Sequence, residues 1–354
     1  MPRLWHRRAR RPRPRAAGRI RDNRAMSSVF SQPFVPGLAR AEEADHLIVP
    51  WVACDSPQWW PALLSVAPQH SANLRALLQG LRIGELDRAS ASSLSPPHER
   101  ALARALGWPE LPDGQLPWAA LGQGRAGQAC GWVSLCHWAM GREQATLSDP
   151  QHLQIRPQES EALLEAMRPF FESEGIELTA LTPDRWLACG QALELPCAAL
   201  ERVIGRDVDP WLPAGPQGRL LRRLQNEMQM LLYTHPVNEA RSARGEAAIN
   251  SLWFSGTGRL PPAVGAAAAV HMPQTLTQAA LANDWDAYAQ GWGQLDRLAF
   301  KPLLERQRSG RPVTLTLCGE EAALSLHSAQ PTLWQRLKAR LAAPRWPDLL
   351  KDQL

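Results

Sequence analysis

Three polar side chains have the residue types and the spacing of an anion-binding face. They lie in the segment HPVNEARSARGEAAINSLWFSGTGR, residues 235–259. At intervals of three residues, His235, Asn238 and Arg241 would share one face of a helical turn. Asn and Arg side chains donate hydrogen bonds to phosphate or carboxylate oxygens. The spacing therefore predicts a face that binds a small anion, and it leaves open a helix end at which Asn238 satisfies unpaired backbone groups.

The end of the same segment predicts a glycine turn after a strand. INSLWFSG, residues 249–256, is an apolar run typical of a buried strand, and SGTGR follows it at 255–259. Two glycines in such a turn allow backbone N–H groups to converge on an anion, and the alternative is a plain strand-to-loop turn. The candidate ligand-binding residues are therefore His235, Asn238, Arg241, Asn250, Gly256, Gly258 and Arg259.

Other reactive residue pairs carry weaker predictions. Asp207 and Asp209 have the spacing of two carboxylates on one side of an extended chain, as in a divalent-metal pair, but the following Pro210 favours a polar turn. Cys136 and His137 are adjacent in a predicted strand, so their side chains point to opposite faces and do not form a nucleophile pair. We therefore assign no catalytic residue and no metal ligand.

The charge of the chain is concentrated at its beginning. Of the 354 residues, 45% are apolar and 21% charged, and the net charge is +5. Residues 1–25 hold ten Arg and one Asp, so the rest of the chain is mildly acidic. This Arg- and Pro-rich run predicts a disordered tail. It is either an arm for nucleic acid or an over-extended gene start with Met26 as the initiator, which we favour; a nucleic-acid partner is expected only if the tail is translated.

Cysteine usage and hydropathy predict a cytoplasmic protein. The six Cys form no C-x-x-C pair, and no export signal precedes the body, so we expect buried free thiols in a reducing compartment. No run approaches the roughly 18 apolar residues of a membrane helix. The fifteen Trp are scattered along the chain, which favours packing in the core over one ligand-stacking cluster.

Strand and helix patterns alternate along the body. This alternation predicts the α/β class, with a layered mixed sheet flanked by helices. We predict strands within 45–53, 129–138, 143–149, 175–190, 249–256 and 312–326, and helices within 70–80, 94–107, 157–175, 217–235, 275–310 and 332–341. The expected organisation is a disordered tail at 1–25, an extended linker at 26–44, a single domain at 45–345 and a C-terminal tail at 346–354.

Two helices carry detailed expectations. In the helix at 94–107, Ser95 is predicted to cap the amino end, and Gly107 to take the left-handed closing conformation. In the helix at 217–235, the spacing predicts a buried stripe formed by Leu220, Leu224, Met228 and Leu231.

Segment 235–258 resembles a stretch of a known enzyme family. HPVNEARSARGEAAINSLWFSGTG is similar to the H-P-x-N-x-x-R-x-x-x-G, N and G-x-G pattern of archaeal-type cofactor-independent phosphoglycerate mutases, which belong to the alkaline phosphatase superfamily. The matching residues are His235, Pro236, Asn238, Arg241, Gly245, Asn250, Gly256 and Gly258. Over most of the body, including RVIGRDVDPWLP, the chain resembles the bacterial RpfE-type regulatory proteins. The resemblance implies a degenerate alkaline-phosphatase-like core.

The chain departs from the mutases at the metal site. The resemblance implies two metals held by Asp and His and a Ser or Thr nucleophile. Here LIVPWVACDSPQWW offers Asp55 and Ser56 but no Asp-Gly pair, and His271 and His327 stand alone in the C-terminal part. The preferred hypothesis is therefore a non-catalytic regulatory protein without a cofactor, whose mutase-like segment is a structural bracket or a pocket for a small phosphorylated ligand.

The alternative is an active enzyme. It would be a phosphoglycerate mutase or a metal-dependent phosphohydrolase that uses two divalent metals such as manganese. Its metal ligands would include Asp55, Asp207 and Asp209.

Overall fold

Apolar β-forming runs build two separate sheets, and amphipathic helices cover them. The computed structural model describes residues 38–261, 268–328 and 346–354. The predicted tail at 1–25, most of the linker at 26–44 and the predicted helix at 332–341 lie outside the described residues. The described residues belong to one compact unit. The predicted α/β class, with a mixed sheet flanked by helices, is confirmed.

The described elements are as follows. The strands are β1 His46–Val49, β2 Leu81–Arg88, β3 Ala129–Cys136, β4 Trp138–Met140, β5 Ala145–Leu147, β6 Glu177–Thr182, β7 Arg185–Cys189, β8 Ser251–Arg259, β9 Val270–His271, β10 Thr314–Cys318 and β11 Ala322–Ser328. The α-helices are α1 Trp59–Leu64, α2 Ala72–Leu78, α3 Pro97–Ala105, α4 Trp118–Gly122, α5 Pro157–Glu172, α6 Gly215–Tyr233, α7 Pro236–Ala243, α8 Thr275–Leu281, α9 Trp285–Leu295, α10 Lys301–Arg308 and α11 Trp346–Gln353.

The first sheet has five strands in the order β2-β11-β10-β1-β9. Strand β1 runs parallel to β10 and β9, while β10, β11 and β2 pair antiparallel. One face packs on α1, α2, α9 and α10 through a core that includes Leu47, Leu315, Trp292 and Phe300. Strand β2 was not predicted, because LRIGELDR is mostly polar and its only partner, β11, is more than 230 residues away in the chain.

The second sheet is antiparallel, in the order β6-β7-β3-β8. Helices α5 and α6 pack on it through a second core that includes Val133, Trp186, Met167, Met228 and Phe254. Strands β4 and β5 form a small separate hairpin. None of the described helices has the length and apolar character needed to cross a membrane.

Helix interiors are predicted better than their ends and edges. Ser95 does not cap α3, because its hydroxyl accepts the N–H of Gly114 instead; Gly107 does take a positive φ of 71°. In the buried stripe of α6, Leu224 and Met228 are buried as predicted, whereas Leu221 and Leu232 are buried in place of their neighbours Leu220 and Leu231. The segment assigned to a C-terminal tail forms α11, whose Trp346, Leu349 and Leu350 are buried.

The prediction of free thiols is wrong for one pair. Cys130 of β3 and Cys189 of β7 are directly opposite each other and form a disulfide, with their Cα atoms 4.1 Å apart. Strand pairing brings together residues 59 positions apart, which the spacing of Cys in the sequence could not reveal. Cys54, Cys136, Cys197 and Cys318 are free.

Removing this disulfide is expected to destabilise the second sheet. Because the bond closes a loop of 59 residues, we expect Cys130→Ala to lower the free energy of unfolding by about 2–4 kcal/mol. Urea unfolding of both proteins, with and without reductant, measures the effect. Reductant should shift the midpoint of the wild type and leave that of Cys130→Ala unchanged; an unchanged wild-type midpoint would show that the bond carries no stability.

Candidate functional site

The mutase-like segment begins at the junction of α6 and α7. His235 occupies the N-cap position of α7, and its Nδ1 accepts the N–H of Val237 at 3.2 Å. Proline at the first position of a helix fits there, because its missing N–H would have no helical partner. Partial burial lowers the pKa of His235. His235 therefore caps a helix rather than facing an open pocket.

Asn238 ties α6 to the start of β8. Its amide Nδ2 donates to the carbonyl oxygens of Leu232, at 2.8 Å, and Ile249, at 2.7 Å. Its Oδ1 accepts the N–H of Ile249 at 2.9 Å. The side chain thus satisfies both backbone groups of Ile249, and it adds a second donor to the Leu232 carbonyl oxygen, which also accepts the N–H of His235.

Arg241 is buried at the centre of the segment, with only 1% of its surface exposed. Its guanidinium donates to the carbonyl oxygens of Ala247 and Leu153, each at 2.7 Å. It also donates to Glu159 Oε2 at 2.8 Å. A buried cation is tolerated only when it is paired and hydrogen-bonded, and these contacts meet both conditions. Arg241 therefore joins α7, α5 and the loop before α5.

Five charged side chains form one network around this point, which we call the arginine–glutamate cluster. It consists of Arg156, Glu159, Arg241, Arg244 and Glu246. Hydrogen bonds first from Arg156 and then from Arg244 hold the pKa of Glu246 far below its usual range. Burial acts to raise the pKa of Glu159, but the Arg156 N–H and the surrounding guanidinium groups lower it overall.

The prediction of a glycine turn at 255–259 is wrong, because these residues lie within β8 and pair with β3. Gly256, with φ of 60°, and Gly258, with φ of 130°, serve a register shift in that pairing. A Cβ on Gly256 would lie 2.8 Å from the ring of Trp132. The backbone therefore requires glycine for strand geometry and does not form an anion-binding turn.

The remaining predicted residues lie elsewhere in the second sheet. Asn250 accepts the N–H of Trp138 at 2.7 Å and donates to its carbonyl oxygen at 2.9 Å, so it anchors β4. Arg259 lies at the far end of β8, where it donates to the carbonyl oxygen of Gly127 and to Glu194. The structure therefore does not gather the seven predicted residues around one site.

One concave pocket of about 270 Å³ borders the segment. Of the seven predicted residues, only Arg241 lines it. The other lining residues are His152, Leu153, Gln154, Arg156, Gly245, Glu246 and Ala247. Gln154 has a φ of 47°, which is uncommon for a residue other than glycine. The sequence did not predict Arg156, Arg244 and Glu246 as site residues, because charged residues at these spacings are also typical of a solvent-exposed helix end.

The residues do not fit the two-metal centre implied by the resemblance. Within residues 38–261, 268–328 and 346–354, no three His, Cys, Asp or Glu side chains are grouped so that they could hold an ion. The N–H of Asp55 donates to Glu320, and Asp207 Oδ1 accepts the N–H of Asp209. Asp207 forms an isolated β-bridge with Thr146, and Asp209 begins a short 3-10 helix.

A second polar cluster lies just beyond β1, and the sequence did not predict it. Trp51, with an unusual φ of 59°, donates from its indole to Glu201 at 3.1 Å, and His98 lies 3.3 Å from the same carboxylate. Next to it, Trp118 donates to the buried Glu99 at 2.9 Å. Burial, together with the charge of Glu201, raises the pKa of Glu99 to about 8.

Comparison with known proteins supports the mutase-like relationship over part of the chain. The chain is 26% identical over 122 residues to the 2,3-bisphosphoglycerate-independent phosphoglycerate mutase of Methanosarcina mazei. The match covers 34% of this chain and 31% of that enzyme, so the chain spans about a third of the length of the curated relative that it matches. No family model matches the chain. A sequence relationship to phosphoglycerate mutase-like proteins is confirmed at this level.

Two solved structures match the chain at low similarity. The cofactor-independent phosphoglycerate mutase from Thermoplasma acidophilum is 13% identical, with a TM-score of 0.33 over 87% of this chain and 99% of that one. The PH0037 protein from Pyrococcus horikoshii is 13% identical, with a TM-score of 0.43 over 89% and 97%. At these values, neither structure bears on the chemistry of this chain.

Loss of the Asn238 side chain is expected to destabilise the fold rather than weaken a binding site. Asn238→Ala would leave the N–H and the carbonyl oxygen of Ile249 unpaired and would remove one of the donors to Leu232, so we expect the free energy of unfolding to fall by about 2–4 kcal/mol. The neighbouring exposed Glu239→Ala is the matched control and should change it by less than about 0.5 kcal/mol. Equal stability of the two variants in urea unfolding would refute this role.

Glu99 is expected to make stability depend on pH. Because its pKa in the folded protein is raised above that of the unfolded chain, the folded state binds the extra proton between pH 4.5 and 8. The free energy of unfolding should therefore fall as pH rises through this window, on the order of 5 kcal/mol in total.

The test compares Glu99→Gln with the wild type by urea unfolding at several pH values. Glutamine can still accept the Trp118 N–H but does not titrate, so this part of the slope should disappear. Glu110→Gln, an exposed carboxylate in the segment after α3, should keep the wild-type slope. A slope retained in Glu99→Gln would contradict the assignment.

Proposed function

We propose that this chain is a non-catalytic cytoplasmic regulatory protein of the RpfE type, related to phosphoglycerate mutases. In this proposal the mutase-like segment is a structural bracket that borders a pocket for a small phosphorylated ligand. The observation that carries it is the use of the Asn238, Arg241 and Asn250 side chains in contacts within the protein. Side chains committed to backbone partners hold a fold together and are not available to reacting oxygens.

The contacts of the bracket explain why a mutase-like pattern would persist without catalysis. Arg241 joins α7 to α5, Asn238 joins α6 to β8, and Asn250 joins β8 to β4. Each contact satisfies buried or half-buried polar groups that would otherwise destabilise the fold. The same residue pattern is therefore required by the architecture of the second sheet, independently of any reaction.

The chemistry of the donor groups also favours a non-catalytic role. Phosphoryl transfer between hydroxyl groups in a two-metal site needs carboxylates and imidazoles that converge on both ions. Asp55, Asp207 and Asp209, the ligands of the alternative enzyme, belong to no group of three such ligands among the described residues, and Asp207 Oδ1 accepts the N–H of Asp209. We therefore assign no catalytic step to these residues.

The cytoplasmic location remains a prediction from the sequence. The disulfide between Cys130 and Cys189 is an observation against it, since structural disulfides are rare in reducing compartments. The regulatory role likewise depends on the resemblance to RpfE-type proteins.

Metal content and turnover test the proposal together. We expect the purified full chain to hold no stoichiometric divalent metal and to show no conversion of 3-phosphoglycerate to 2-phosphoglycerate with added manganese. Elemental analysis and a coupled assay measure the two quantities. A cofactor-independent phosphoglycerate mutase, assayed in parallel, shows that the conditions support the reaction.

Manganese-dependent turnover would overturn the proposal. If turnover is seen, Asp55→Asn decides whether it belongs to this chain: loss of activity with unchanged thermal stability would establish the alternative enzyme. Activity that Asp55→Asn does not change but that disappears on further purification would indicate a contaminant and leave the proposal standing.

A further inference from the structure

We propose that the Glu246 carboxylate is an internal stand-in ligand, occupying an anion site formed by Arg156 and Arg244. When the Glu246 side chain is displaced, the site accepts a phosphate monoester dianion. This inference takes only the class of ligand from the proposed function and adds the regulation of its pocket.

Two guanidinium groups hold the one carboxylate in a double fork. Arg156 donates from Nη1 to Oε2 at 2.8 Å and from Nη2 to Oε1 at 2.5 Å. Arg244 donates from Nε to Oε1 at 3.0 Å and from Nη2 to Oε2 at 2.9 Å. Bidentate pairing of this kind is how arginine recognises carboxylate and phosphate groups. Glu246 therefore receives the set of donors that a bound anion would receive.

The charge balance leaves the site positive once Glu246 is removed. The arginine–glutamate cluster then holds three guanidinium groups and one carboxylate, Glu159. Arg241 Nη1 already lies 3.6 Å from Glu246 Oε2, so the third cation borders the same position. A dianion compensates this excess charge better than the single charge of Glu246, and its additional oxygen offers an acceptor that the carboxylate lacks.

Space and access both suit a small anion. The pocket of about 270 Å³ adjoins the carboxylate and is lined by Arg156, Arg241 and Glu246. The side chains of Arg156 and Arg244 are 47% and 38% exposed, so a solute can reach them from solvent. Among the lining residues, Glu246 is the one carboxylate and Arg156 and Arg241 are the guanidinium groups, and the polar side chains of His152 and Gln154 complete the wall.

Displacement of Glu246 requires no movement of the fold. Its backbone N–H donates to the carbonyl oxygen of Arg241 at 3.0 Å, which anchors the main chain. Gly245 precedes it with a φ of 72° and has open space around its α-carbon. Rotation of the Glu246 side chain alone can therefore vacate the site, while Arg241 stays in place.

The test uses inorganic phosphate as the probe and thermal unfolding of the full chain as the readout. In Glu246→Ala, we expect 10 mM phosphate to raise Tm by about 3 °C or more relative to chloride of equal ionic strength, because a ligand that binds the folded state stabilises it. The wild type should show less than a third of this rise. Calorimetric titration should give a Kd at least about tenfold lower for the variant, a difference of about 1.4 kcal/mol.

Matched variants separate a built site from a general charge effect. Glu194→Ala removes another partly exposed carboxylate, one paired with Arg259, and should respond to phosphate as the wild type does. Adding Arg156→Ala or Arg244→Ala to Glu246→Ala should abolish the rise. If Glu246→Ala does not fold, Glu246→Gln is the second variant, because it keeps the shape of the side chain and removes its charge. Phosphate should raise the Tm of Glu246→Gln more than that of the wild type, but less than the rise expected for Glu246→Ala.

Three outcomes would overturn the inference. The first is that phosphate does not raise the Tm of either Glu246 variant. The second is that phosphate raises the Tm of Glu194→Ala as much as that of Glu246→Ala. The third is that the rise in Glu246→Ala persists after Arg156 or Arg244 is also replaced. None of these measurements involves turnover. Mutase activity would therefore refute the proposed function without affecting this result, and a failure here would leave the non-catalytic assignment intact.

Discussion

The arrangement of the helices around the second sheet depends on the burial of one cation. Arg241 is 1% exposed, and an unpaired guanidinium at that depth would be strongly unfavourable. Its donors fix where α5, α7 and the loop before α5 can lie, because two of them require backbone carbonyl oxygens and one requires Glu159. The surrounding ions, Arg156, Arg244 and Glu246, then take positions set by this buried pair. The pocket beside them is a consequence of the same arrangement.

The residue types that bind phosphate groups are also those that satisfy backbone groups. Asn238 and Asn250 each hold a short backbone stretch through both ends of their amide, as they would hold a ligand. A pattern of His, Asn and Arg after a helix therefore predicts polar contacts, but it does not show whether their partners belong to a ligand or to the protein. Here the partners belong to the protein, which is why a mutase-like segment is compatible with a fold that groups no metal ligands among its described residues.

Glu246 shows where recognition chemistry remains accessible. The buried members of the arginine–glutamate cluster hold the fold, while the exposed members meet around a carboxylate that a side-chain rotation can remove. A structural role and a ligand site can thus share one charge network, with burial deciding which side chains serve each role. Far from this pocket, Glu99 illustrates the opposite case, in which burial shifts a carboxyl group toward its neutral form within the core.

Local patterns in the amino-acid sequence correctly predict the layered α/β class and most helices and strands, because apolar spacing at two or about 3.6 residues reflects local geometry. The same patterns identify Asn238 and Arg241 as polar residues that need hydrogen-bond partners. Three further features follow from the folding of distant segments together: the partners of those groups, the strand at 255–259 and the disulfide between Cys130 and Cys189. Each of these depends on which distant segments pack together, and the local pattern of a chain carries no information about residues brought close by pairing of strands or burial of a charge.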